Sequence, residues 1–124
     1  MNVVAWILSG LLAVAFIAAG ASKLATPRDK LLKNPRMGWA NDFTDTQVKG
    51  IAALEVLAGI GIILPWLLDI APVLTPLAAV GMAVVMIGAI ATHGRRGELK
   101  EALPVNGALL TLAVIVAIIR FSQL

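Results

Sequence analysis

Four apolar stretches, each close to the length that carries a helix across a bilayer, take up most of this 124-residue chain. They run from about Val3 to Ser22, Val48 to Leu64, Val73 to Thr92 and Leu103 to Ile119. A hydrocarbon core about 30 Å thick calls for roughly 20 residues at about 1.5 Å rise each. The composition agrees, with 60% hydrophobic and 14% charged residues against about 45–50% and about 25% in a soluble domain. A soluble globule of this size has no interior large enough for so many apolar side chains. Soluble enzymes, disordered tails and nucleic-acid-binding modules are excluded on that ground. The expected fold is all-α: a single domain over residues 1–124, built as a four-transmembrane-helix bundle with helices at about 3–24, 45–65, 72–93 and 103–121.

Charge sets an orientation. Four spans put both termini and the turn between the second and third helices on one side, and the other two loops on the opposite side. The loop side holds Lys23, Arg28, Lys30, Lys33, Arg36, Lys49, Arg95, Arg96 and Lys100, and the terminal side only Arg120. By the positive-inside rule both loops are expected in the cytoplasm and both termini outside, in a bacterial-type plasma membrane. The net charge of +3 then faces anionic lipid headgroups rather than nucleic acid. The first stretch is expected to be retained rather than cleaved, because Met1-Asn2-Val3-Val4 carries no basic side chain ahead of a long apolar run.

The long loop after the first helix carries its own signals. Thr26-Pro27-Arg28-Asp29 reads as a helix start, with Thr26 as N-cap and Pro27 at the first helical position. A short amphipathic segment runs to Lys33, before Asn34-Pro35 breaks it. Trp39 and Phe43 have the character of interface aromatics. Thr44-Asp45-Thr46-Gln47 matches a capping box and should open the second helix, which Pro65 should end or kink. Gly10, Ala13, Gly20, Ala52, Gly59, Gly61, Gly81, Gly88 and Ala89 supply the small residues by which lipid-embedded helices approach one another.

Polar residues inside such helices need an explanation. Glu55 lies about four residues past Ile51, roughly 6 Å below the loop-side boundary. A lone carboxylate facing lipid there costs on the order of 2–3 kcal/mol, so it should face the interior. Lys23, at the end of the first helix, is the expected partner, with a stem long enough to reach one turn deep. His93 closes the third helix, with Ala89, Met86 and Met82 below it on one stripe. Asn106 enters the fourth helix on the same side. Lys23, Glu55, His93 and Asn106 thus come from four helices and fall in one shallow layer, above Met82 and Met86. That layer is either a small-ligand site or a structural clasp. With no cysteine and one histidine, thiol chemistry and a protein-only metal site are excluded, and no haem or nucleotide motif is present.

The residues in this layer resemble those of a known family. Ala19-Gly20-Ala21-Ser22-Lys23-Leu24 resembles the GxxKL signature of the DoxX-like membrane proteins. Gly50 to Pro65, with Glu55, Gly59 and Gly61, resembles their second-helix run, and Gly88-Ala89-Ile90-Ala91-Thr92-His93-Gly94-Arg95-Arg96-Gly97-Glu98 their third-helix ending. The resemblance implies a four-helix membrane bundle and marks Lys23, Glu55 and His93, with no catalytic role attached to them. Functions in that wider group are mixed, including membrane subunits of thiosulfate:quinone oxidoreduction, companions of redox proteins, and an assembly chaperone for receptors.

The expected function is therefore an accessory or ligand-binding membrane protein. Its ligand would be a quinone- or lipid-like molecule at Lys23, Glu55, His93, Asn106, Met82 and Met86, or its partner a membrane or redox protein. The alternatives are a membrane subunit of a quinone-linked oxidoreductase and a membrane-protein assembly factor. Quinone is the one cofactor considered, and self-association into a homo-oligomer is open.

Overall fold

The computed structural model describes residues 2–33 and 35–124, with all of their side chains except those of Pro35, Arg36, Met37, Asp42 and Glu101. Asn34, read above as part of the helix break, lies outside the described residues. The elements are α1 (Asn2–Ala25), α2 (Arg28–Lys33), a 3-10 helix (Pro35–Asp42), α3 (Asp45–Gly61), α4 (Leu64–Leu68), α5 (Leu74–Arg95) and α6 (Leu99–Ser122). Four segments are long and apolar enough to cross a membrane: Asn2–Ala25, Asp45–Leu68, Leu74–Arg95 and Ala102–Ser122. The molecule is an all-α bundle of four potential spans, and the described residues contain no strand.

Helix α1 packs most extensively on α3, and α5 on α6, while α1–α6 and α3–α5 contacts close the ring. Glycine makes the α1–α3 contact close. A Cβ on Gly20 would lie 2.5 Å from the Ala52 carbonyl oxygen, and one on Gly59 would lie 2.5 Å from Cγ1 of Ile17. Between the helices Leu12, Phe16, Ile62, Ala79, Met82, Ala113 and Val116 form a core with almost no exposure.

Local chemistry explains the element ends. Thr44 caps α3 as the sequence suggests: its Oγ1 accepts from Gln47 N at 3.1 Å, and Gln47 Oε1 accepts from Thr44 N at 2.9 Å. Pro65 has no N–H for the carbonyl four residues back and its ring crowds that carbonyl. The span breaks at Ile62–Ile63, and α4 restarts with Pro65 in its first turn. The carbonyl left over is that of Gly61, and Thr75 Oγ1 of α5 donates to it at 3.2 Å. The Thr26 hydroxyl donates to the Ser22 carbonyl at 2.7 Å. It extends the end of α1 instead of capping α2, whose first turn is closed by the Pro27 carbonyl. Helix α6 begins at Leu99, so Pro104 lies inside it.

At the terminal end one residue ties three elements together. Arg120 is buried, with its guanidinium 4.9 Å from the Trp6 ring centroid and 4.3 Å from that of Trp66. Its Nη1 donates to Asn2 Oδ1 and Gln123 Oε1, both at 2.8 Å.

Candidate functional site

The opposite, loop end holds the polar layer. Lys23 Nζ donates to Glu55 Oε1 at 2.6 Å, with the lysine side chain 16% exposed and the carboxylate side chain 5%. The pair bridges α1 and α3 just beyond the close approach at Gly20. The last carbonyls of a helix lack intrahelical donors. Here Lys49 of α3 supplies them, donating through Nζ to the carbonyls of Lys23 and Thr26. Lys23 is therefore held from two sides, by its own side chain and by its backbone.

His93 sits in the last turn of α5, and the following turn determines its partner. Arg96 caps the helix and Gly97 takes φ +72°. The N–H groups of Gly97 and Glu98 return to the carbonyls of Gly94 and His93, at 3.2 and 2.8 Å. This is the Schellman arrangement, and it requires a left-handed residue where glycine carries no penalty. It folds Glu98 back so that Oε1 lies 3.1 Å from His93 Nδ1, with Arg96 Nε donating to the same oxygen at 3.2 Å.

The loop forms a roof over this layer. Leu31, Trp39, Ala40 and Val48 make a small buried cluster with Phe43 against it. Arg28 pins the segment, Nη2 donating to the carbonyls of Ala40 at 3.2 Å and Phe43 at 2.8 Å. The Trp39 ring stands edge-on to Phe43 and His93, at 5.8 and 6.5 Å between centroids. Lys23 Nζ lies 5.6 Å from the Trp39 ring centroid.

Beneath the roof is a cavity of about 670 Å³, lined from all four long helices and the loop. Lys23, Glu55, His93, Asn106 and Met86 line it. Met82, one turn deeper on α5, does not; it is fully buried in the core. The expected polar layer is thus drawn together around one space, which passes Met86 and stops short of Met82. The Asn106 side chain makes no hydrogen bond to any described residue.

The cavity reaches the surface of the bundle. Leu54 of α3 and Gly88 and Ala91 of α5 line it and are exposed. Helices α3 and α5 touch at the far end, where Gly61 meets Ala78, and the cavity occupies the space between them at the loop end. Gly88 lies seven residues before the end of α5, about 10 Å along the axis, so the opening lies within the length of that potential span.

Trp39, Lys49 and Glu98 were not expected at the site. Gly97 was the one sequence signal for Glu98, since a glycine just past a helix turns the next residue back towards the last turn. Nothing in the sequence signals the placing of Trp39 over the cavity.

Neither a curated protein nor a solved structure matches the chain. The model of the DoxX-like family matches residues 7–116, which include Lys23, Glu55 and His93, and the chain belongs to that family.

Proposed function

We propose that this protein binds an amphipathic small molecule of quinone or lipid type in the loop-end cavity, as an accessory membrane protein. The observation that carries this reading is the cavity itself. Its volume falls within the range of about 300–1,000 Å³ typical of small-molecule sites, and polar residues from four helices converge above an apolar lower half. Ligand sites of this kind combine apolar walls with a few placed polar groups. A ligand head would lie near Glu55, His93 and Asn106, and its tail along Met86 and Val85. In this reading the loops face the cytoplasm, which nine of ten basic residues favour.

Mass spectrometry of the protein purified in mild detergent tests the reading. The expected result is a small amphiphile that co-purifies with the wild type. Glu55→Gln and His93→Ala should each lower its occupancy about tenfold, the size of effect that one lost charge-assisted hydrogen bond produces, while the bundle stays folded. A preparation with no bound molecule, together with wild-type behaviour of Glu55→Gln, would mark the layer as a structural clasp.

A further inference from the structure

We propose that the cavity takes a neutral, hydroxyl-bearing amphiphile directly from the bilayer through the opening between α3 and α5, its hydroxyls donating to Glu55 and His93. This rests on the cavity being a binding site and adds what the site selects and how it is loaded. The charges in the buried layer are already paired. Lys23 Nζ meets Glu55 Oε1 at 2.6 Å, and His93 Nδ1 meets Glu98. An ionic head that displaces either partner breaks the Lys23–Glu55 pair and leaves one charge uncompensated in a dry setting. Arg95, the remaining cation of the lining, is exposed at the end of α5.

The hydrogen-bonding capacity that remains is mixed: Lys23 Nζ keeps donors that Glu55 Oε1 does not use, while Glu55 and the His93 ring bring acceptors. An ionised carboxylate only accepts, and Glu55 Oε2 has no partner among the described residues. In the tautomer that donates from Nδ1 to Glu98, the His93 ring keeps an acceptor at Nε2. Neither atom is a buried orphan, so both are within reach of another molecule. The Asn106 amide both donates and accepts. A hydroxyl satisfies such a set, whereas a head carrying only keto, ether or ester oxygens leaves the acceptors unpaired. A glycerol head and a dihydroxy ring share this chemistry.

Entry from the bilayer follows from the lining. Trp39 and Phe43 cover the loop end, while Leu54, Gly88 and Ala91 open the side onto the apolar belt. Gly88 offers a direct probe, because a Cβ built on it meets nothing within 4 Å. A larger side chain there starts from open space at the rim of the cavity. Gly81 is equally open but does not line the cavity.

The test uses the full-length protein in lipid nanodiscs. Binding is read as quenching of Trp39 by bromine-labelled probes, taken as the excess over a Trp39→Phe control; that control carries whatever the probes do from the bilayer to Trp6 and Trp66, which lie with Arg120 at the opposite end. The probes are monooleoylglycerol, its dimethyl ether, oleoyl lysophosphatidic acid, and an alkyl hydroquinone with its dimethyl ether. At least one free-hydroxyl probe should bind about tenfold tighter than its ether and than the lysophosphatidic acid; the tighter of the two pairs identifies the glycerol or the ring as source. Gly88→Leu should slow loading at least tenfold, and Gly81→Leu should leave it unchanged. Ethers as tight as the hydroxyl probes, a tighter lysophosphatidic acid, or unchanged loading in Gly88→Leu would overturn the inference and leave the binding reading standing. No quenching by any probe would overturn both.

Discussion

At the scale of single residues, the Lys23–Glu55 pair commits two charges to a mostly buried contact. Each charge loses most of its hydration, and their mutual contact at 2.6 Å offsets most of that loss. Lys23→Met would leave a carboxylate with 5% exposure and no counter-ion. The expected loss is about 2–3 kcal/mol, below the full range for a buried pair because the lysine keeps some contact with its surroundings. Combining it with Glu55→Leu should recover most of that loss, since an apolar pair of similar volume carries no desolvation penalty. Thermal unfolding in one detergent checks both. Strictly additive effects would show that the two side chains do not interact.

At the scale of elements, glycine falls into two groups. Gly20 and Gly59 sit where α1 and α3 nearly touch, and a Cβ at Gly20 would meet the backbone of Ala52, which cannot rotate away. Gly20→Ala should therefore force the helices apart and lower stability by about 1–3 kcal/mol. Gly81→Ala adds a methyl in open space and should be neutral or stabilising by up to about 1 kcal/mol, through helix propensity alone. A Gly20→Ala protein as stable as the wild type would remove close packing as the reason for that glycine. The same elements show what the sequence made legible. Length and hydropathy located the spans, and the capping box at Thr44 located a helix start, because both are local properties. Burial of Glu55 made its partner readable, since few cations were near enough. The inward faces of the helices were not readable: a helix surrounded by lipid is apolar all round and carries little contrast between its two sides. Met82 and Met86 share one stripe, and only the depth at which the four helices converge separates the core residue from the cavity residue. Trp39 reaches the cavity through the folding of a loop, which no periodicity records. The break at Ile62–Ile63 was signalled by Pro65, but the donor that rescues the Gly61 carbonyl comes from another helix.

At the scale of the whole molecule, the two ends of the bundle treat basic residues differently. At the loop end, Lys30, Lys33, Arg95 and Lys100 stand exposed, free to meet headgroups. At the terminal end the single basic residue, Arg120, is 1% exposed and is consumed between Trp6, Trp66, Asn2 and Gln123. Among the described residues the exposed basic side chains therefore all lie at the loop end, because the one opposing charge is inside the protein. By the positive-inside rule, a bias of this kind predicts that the basic loops stay in the cytoplasm. The expected topology has both termini outside. The labelling positions should avoid residues that hold the fold, which excludes Asn2, whose side chain accepts from Arg120. The side chains of Leu124 and Lys33 are exposed and make no contact of that kind. In intact cells a cysteine at Leu124 should react with a membrane-impermeant thiol reagent, and one at Lys33 should react only after the membrane is permeabilised. The chain has no native cysteine to interfere. The opposite pattern would reverse the orientation and place the polar layer, with its cavity, at the outer face.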